Sequence, residues 1–506
     1  MDAFIGFLQN TQPVVLLSMA VGLLIAGVFV VVFHGRRHLR SNEPPAVPGL
    51  PLIGNLLQLK EKKPHQTFAK WAEKYGPIYS IKTGASKLIV LNSTQVAKEA
   101  MVAKFSSIST RKLSKALTIL TCDKKMVATS DYDDFHKLVK RCIITNLLGA
   151  GAQKQLRGHR DVMVSNMIEN LETTIKENPS GAVNFRDLFK DELFRLALKE
   201  ALGQDIESIY VPELGKELTK KDLYNVLVVD PMTGAIEVDW RDFFPYLRWV
   251  PNSKWEEKIQ RMASNKYVVM KALINEHKRR IQHGEGTNSY LKHLLSLETL
   301  TEEHLISLVW EVIIEASDTT AVITEWAMYQ LAKNPDRQDR LYDEIKEVCG
   351  TEKVTEEHLP QLHYLNCVFH ETLRRHSPVP IVPLRFVHED TQLGGFDIPA
   401  EAEIAINLYA CNMNKEEWAE PDEWRPERFL EGTHEFSDLY KTMAFGAGKR
   451  ACAGSIQAML ITCISIARFV QGYGWRLVEG DEDKVDTVQL TAQRLQPLCV
   501  YVKPRK

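Results

Sequence analysis

The chain lacks the cysteine patterns that build zinc knuckles or attach haem covalently. Its eight cysteines (Cys122, Cys142, Cys349, Cys367, Cys411, Cys452, Cys463 and Cys499) are scattered over 506 residues with no CxxC pair and no CxxCH. So sparse a set in so long a chain implies reduced thiols in a cytosol-facing domain, most of them small buried hydrophobes. An excess of charge of one sign is also missing. The 63 Lys and Arg residues stand against 65 Asp and Glu, for a net charge of −2, which leaves no footprint for nucleic acid or an acidic polymer. There is no fixed repeat and no low-complexity tract.

One apolar run stands out. Residues 14–33 carry no charge, and as a helix twenty residues span roughly 30 Å, a bilayer core. A cleaved signal would begin basic, yet this one begins with Asp2, and Arg36, Arg37 and Arg40 follow the run. Residues 1–40 are therefore expected to be a membrane anchor that leaves the bulk of the protein on the cytosolic side. Residues 41–55 contain Pro44, Pro45, Pro48 and Pro51, which stiffen the backbone into a short hinge. Residues 56–506 read as one α+β domain, mostly helical, with no second boundary.

Within it, HQTFAKWAEKYG reads as an amphipathic helix, and PIYSIKTGASKLIVLNS as two strands joined at Thr83-Gly84-Ala85. Residues 95–375 are mostly helical in pattern, extended segments return at 377–410, and an apolar helix at 455–470 precedes a strand-like tail. The segment 239–251 carries Trp240, Phe243, Phe244, Tyr246 and Trp249. Its favoured reading is packing within the core or under a loop, and the sharper one is a surface dipping into a membrane interface.

FGAGKRACAG, residues 445–454, places one cysteine among three glycines and two cations, just before the helix at 455. Cations and a helix N-terminus both stabilise a thiolate, and Gly446, Gly448 and Gly454 would let amide N–H groups approach the sulfur. That is a way to present a single thiolate to a metal centre. A cysteine nucleophile fits the same stretch, but needs a histidine base close in space.

The spacing Phe445-x-x-Gly448-x-Arg450-x-Cys452-x-Gly454 resembles the haem-binding loop of the cytochrome P-450 family. The resemblance implies haem b as cofactor, with Cys452 as the thiolate ligand of its iron and Arg450 on a propionate, within a loop that includes Phe445 and Gly446. It extends to Glu371-Thr372-Leu373-Arg374 and to Pro426-Glu427-Arg428-Phe429, and implies a structural triad of Glu371, Arg374 and Arg428. It also extends to Glu315-Ala316-Ser317-Asp318-Thr319-Thr320 in an apolar-periodic helix at 305–332. There Asp318 and Thr319 are expected to supply protons for dioxygen activation. Glu315 and Ala316 depart from the family's small residue and glycine, and Glu315 is expected either to join the relay or to face away into a salt bridge, with preference for the salt bridge because an unpaired carboxylate in an apolar pocket is costly.

In FHKLVKR, His136 and Lys140 stand where the family has a tryptophan and an arginine directed at a haem propionate. Arg385 matches another propionate-binding arginine. The implied fold is a helical triangular prism with small sheets. The implied activity is monooxygenation with O2 and electrons from NADPH–cytochrome P-450 reductase. Lys137, Lys140, Arg141 and Lys449 are candidates for a cationic reductase-docking face. Several further segments, KFSSISTRKLSKALTILT and VDWRDFFPYL among them, are similar to a plant subgroup of the family that oxidises diterpenes. This implies a small hydrophobic substrate, with pocket candidates at 109–119, 313–320, 379–384 and 491–495.

Overall fold

The computed structural model describes residues 42–505 apart from 60–62, 180, 286–288, 431–441 and 481–490, together with Gly22 and Gly27. The expected anchor at 14–33 and its basic flank thus lie outside the described residues, those two glycines excepted.

The amphipathic pattern at 64 forms helix α1 (Pro64–Tyr75), which opens on a proline and closes at Gly76 with φ 88°. The hairpin read from the sequence is β1 (Ile78–Thr83) and β2 (Ser86–Leu91), paired Ile78↔Leu91 through Thr83↔Ser86. Its turn requires glycine. Gly84 has φ 64°, and a Cβ there would sit 2.2 Å from the Phe243 carbonyl oxygen. With β3 (Thr110–Arg111), β5 (Ile381–Phe386) and β6 (Glu403–Asn407), the hairpin builds a five-stranded sheet in the order β1-β2-β6-β5-β3. A smaller sheet joins β4 (Val183–Asn184) to the tail strands β7 (Tyr473–Leu477) and β8 (Cys499–Pro504).

The helical part is organised around α8 (Glu302–Lys333), preceded in chain order by α2 (Lys115–Leu120), α3 (Asp134–Ile143), α4 (Arg157–Glu177), α5 (Phe185–Leu202), α6 (Ser253–Gln282) and α7 (Tyr290–Leu295). Thr301 and His304 close a capping box at the start of α8, with Glu302 and Glu303 favourably placed at the dipole's positive end. Its far end stops at Asn334, where Pro335 begins α9 (Pro335–Cys349). Helix α10 (His363–Arg375) and helix α11 (Ser455–Gly472) pack with α4, α5 and α8 into the largest apolar cluster. Helix α11 is apolar enough to cross a bilayer, but it is largely buried and serves as core.

One expectation is corrected here. The aromatic segment at 239–251 does not disappear into the core: Trp249 is 79% exposed and Tyr246 58%. Ala85 N–H donates to the Phe243 carbonyl and Gly84 N–H to the Ile53 carbonyl. The hairpin turn therefore ties this segment to the proline-rich stretch 41–55, which exposes Leu50 and Leu52, with Leu57 exposed just beyond it.

Candidate active site

Helix α8 marks the site by a break in its burial. Between positions 305 and 332 every residue is buried except Glu315, which is exposed, and Ala316 and Thr319, which are half-buried. These three share one face. Cys452 is likewise accessible, although burial pushes its thiol up to about 11, with Glu315's charge adding to the effect. Accessible side chains so strongly desolvated, with the Cys452 thiol sensing the Glu315 charge, line an interior cleft with α8 on one side and the cysteine loop on the other.

The loop holds its sulfur with backbone. Cys452 N–H donates to the Phe445 carbonyl at 2.9 Å, and Gly446 N–H to that of Met443 at 2.9 Å. Gly454 N–H donates to the Cys452 sulfur and, with Lys140, favours the thiolate. Gly446 and Gly448 have φ 70° and 69°, and a Cβ on Gly448 would lie 2.6 Å from the Met101 carbonyl oxygen.

The expected triad is assembled. In α10, Arg374 Nε and Nη2 donate to the two Glu371 carboxylate oxygens at 2.8 Å each, and Arg428 Nε adds a bond at 3.1 Å. Arg374 also donates to the carbonyls of Asn412, Pro421 and Glu423. From Asn412 the connection continues, since its Oδ1 accepts the Met443 N–H at the start of the cysteine loop. The triad thus fixes the loop through named bonds without touching the cleft.

Five basic side chains converge beside the loop. Cross-strand pairing sets Arg111 directly opposite Arg385, an arrangement of like charges that costs stability on its own. Arg450 joins them, donating from Nη2 to the Ser130 carbonyl, while the Ser130 hydroxyl pairs with His136 Nδ1 at 2.9 Å. Burial first, and each other's charge second, lower the basicity of Arg111, Arg385 and His136, the last to about 4. Arg450 and Lys140 are also lowered, chiefly by burial. His136 Nε2, Arg385 Nε and Arg450 Nε are buried without partners.

This is the environment of a dianion, and it fits the two propionates of haem. The donor set for iron fits as well. The Cys452 thiol, held by the Gly454 amide and beside Lys140, is the kind of donor a haem iron takes.

Several expected roles change. Lys140 Nζ donates to the Lys449 and Ala451 carbonyls, so it braces the cysteine loop while its charge stays beside the other cations. Asp318 is buried and faces away from the cleft. Its Oδ2 accepts from the Thr491 hydroxyl at 2.6 Å, and Lys190 Nζ lies 3.6 Å from Oδ1. Thr319 Oγ1 donates to the Glu315 carbonyl at 3.1 Å within the cleft-facing turn. The preferred salt bridge for Glu315 is absent. Its carboxyl makes no hydrogen bond or ion pair among the described residues, and burial raises it to about 7 against the pull of Arg111.

Sequence reasoning missed Ser130, Lys190 and Glu311, and covered Arg111 only as part of the pocket candidate 109–119, without its place among the cations. Glu311 lies one turn before Glu315 and accepts the N–H groups of Val127 and Ala128 at 2.8 and 2.7 Å. The spacing of four between Glu311 and Glu315 was a readable signal, whereas Arg111 and Lys190 gain meaning only from strand and helix pairing.

Comparison with known proteins agrees with the geometry. The cytochrome P-450 family model matches residues 44–498. The chain is 64% identical over 466 residues to ent-kaurene oxidase 2 of Oryza sativa subsp. japonica, covering 92% of both chains. It is 59% identical over 464 residues to ent-kaurene oxidase of Salvia miltiorrhiza, covering 91% of this chain and 89% of the relative. It is also 56% identical over 468 residues to ent-sandaracopimaradiene 3-hydroxylase of Oryza sativa subsp. japonica, covering 92% of both. The chain belongs to the cytochrome P-450 family and is a haem-dependent monooxygenase.

Proposed function

We propose that this enzyme is an ent-kaurene oxidase, carrying one methyl group of ent-kaurene through alcohol and aldehyde to ent-kaurenoic acid on the route to gibberellins. The observation that carries the chemistry is the accessible, backbone-held thiol of Cys452, which senses the Glu315 charge beside a cluster of buried basic side chains. The substrate rests on the relatives, whose names include ent-kaurene oxidases at 64% and 59% identity. A related diterpene hydroxylase of specialised or defence metabolism is the second reading, favoured by the 3-hydroxylase at 56%. A reductase-independent isomerase or dehydratase is disfavoured by the Asp318–Thr319 pair. Reconstitution with reductase, NADPH and ent-kaurene tests the proposal. The acid is expected, and a ring-hydroxylated product without acid would favour the second reading.

In this reading Cys452 is the thiolate ligand and Arg450, Arg385, Arg111 and His136 hold the propionates. Haem supplies iron chemistry that activates dioxygen for insertion into a C–H bond. Each round consumes O2, two electrons and two protons; the first and third release one water, and the second releases two, because the gem-diol formed from the alcohol loses water to give the aldehyde. Lys190 and Thr491 hold Asp318 as the inner end of a proton path from the side of α8 away from the cleft. Thr319 Oγ1 presents the last hydroxyl to the cleft. Thr319→Ala is expected to lower product per NADPH roughly tenfold, less than the ~10²–10⁴-fold that a proton-transfer group contributes to rate, with peroxide rising in proportion. Unchanged coupling would remove Thr319 from the path.

NADPH–cytochrome P-450 reductase is the proposed electron donor. Lys137, Arg141 and Lys449 remain exposed, Lys137 paired with Asp134 at 2.9 Å and Lys449 over the Phe105 and Tyr132 rings. Charge reversal at Lys137 and Arg141 should raise the apparent reductase requirement several-fold at low salt, and the difference should shrink at high salt. Equal requirements at every ionic strength would sink this docking face.

The domain is proposed to be anchored by residues 1–40 in the endoplasmic reticulum membrane or plastid outer envelope, with residues 41–55 as hinge and 56–506 as the haem-thiolate catalytic domain. The exposed apolar residues Leu50, Leu52, Leu57, Tyr246 and Trp249 would then rest in the membrane interface.

A further inference from the structure

Conversion of a methyl to a carboxylic acid poses a binding problem that one hydroxylation does not. The hydrocarbon offers no polar handle, whereas the alcohol and aldehyde carry oxygen on the very carbon that must react again. In an apolar cleft that oxygen would lack a partner and would favour escape to water. The last product is an anion and has to leave. A group that holds neutral oxygen and rejects negative charge answers both needs.

Glu315 has the required position. It is the exposed residue of α8 between positions 305 and 332. It lies one turn from Thr319 on the same face and on the opposite side of the cleft from Cys452, whose thiol senses its charge. Glu311, the acid one turn earlier, is fully occupied by the Val127 and Ala128 amides. Arg111, the cation that acts on Glu315, spends its Nε and Nη1 on the Ala128 and Pro383 carbonyls. Glu315 alone of these keeps its whole hydrogen-bonding capacity free.

Resting on the reading of successive oxidations at one carbon, we propose that Glu315 is the seat for the oxidised substrate carbon, hydrogen-bonding the alcohol and aldehyde in the cleft and repelling the carboxylate product. An ionised Glu315 accepts the alcohol O–H, and a protonated one donates to the aldehyde oxygen. Its burial-raised carboxyl, at about 7, makes both forms accessible near neutral pH. Against the product carboxylate, the ionised form places two negative charges in one desolvated cleft, which weakens binding. Glu315 is in this account a specificity-determining residue.

The test uses the full-length enzyme with Glu315→Leu and Glu315→Gln, each first shown to retain the thiolate-type carbon monoxide band. Dissociation constants for ent-kaurene, its alcohol and its acid are read from haem spectral titrations, and products from reconstituted turnover. In Glu315→Leu the alcohol-to-hydrocarbon ratio of dissociation constants should rise about tenfold, the ordinary worth of one hydrogen bond. Alcohol and aldehyde should then be released ahead of acid. Glu315→Gln should restore alcohol binding and, at about pH 8 where Glu315 is ionised, bind the acid about tenfold more tightly than the unaltered enzyme, having lost the repelling charge.

An unchanged ratio in Glu315→Leu, or acid as its sole product, overturns the proposal. Unchanged acid affinity in Glu315→Gln does so too, and this criterion stands by itself if the leucine variant fails to fold. Should the unaltered enzyme yield a ring alcohol from ent-kaurene, the ent-kaurene oxidase reading falls. The seat is then judged by the same ratio, measured for that alcohol against ent-kaurene.

Discussion

Replacing Cys452 with Ser is expected to abolish the thiolate-type carbon monoxide difference band and reduce turnover to background. The loop is shaped for sulfur: the Gly454 amide and Lys140 act on the thiolate, and Gly446 and Gly448 adopt the left-handed backbone that brings the chain around it. A serine hydroxyl in the same place stays protonated and gives a neutral, weaker donor. Absorbance spectra of the reduced, carbon monoxide-treated variant decide the matter, and an unchanged band would remove Cys452 as the ligand.

The second large effect lies away from the reaction. Glu371→Ala should cost about 3–5 kcal/mol, because it leaves the Arg374 guanidinium charged, buried and without its carboxylate. Both side chains are fully buried, with 0% of their surface exposed. Against a total stability of about 5–15 kcal/mol, such a loss should collapse the yield of haem-loaded protein. Arg428→Ala should cost less, since two of its contacts, to the Ala419 and Glu420 carbonyls, lie in exposed surroundings. Thermal unfolding and haem content per chain measure both. A Glu371→Ala protein that melts and loads like the parent would refute the account of the triad as the brace of the cysteine loop.

What the sequence revealed follows from which interactions are local. The hairpin at Gly84, the helices at 64, 302 and 455, and the Glu371–Arg374 pair are all set by period, caps or i,i+3 spacing, and each lies where its pattern indicates. Side-chain direction across elements was less legible. Asp318 and Thr319 are neighbours, yet a helix turns about 100° per residue, so one faces Lys190 and the other the cleft. His136 and Lys140 share a helix face, but Lys140 is long enough to reach the loop carbonyls that His136 cannot. The like-charged pair Arg111 and Arg385 became visible only once β3 met β5. The aromatic segment misled for a different reason: aromatic composition suggests burial, yet Tyr246 and Trp249 are exposed.

The central claim is that one cleft oxidises one carbon three times. Its most direct measurement is the NADPH oxidised per diterpene consumed in the reconstituted, well-coupled enzyme, with the product identified in the same sample. Three successive monooxygenations predict about three NADPH per molecule of ent-kaurenoic acid, with alcohol and aldehyde appearing in sequence before it. One NADPH per molecule of a ring-hydroxylated diterpene, with no acid formed, would contradict it.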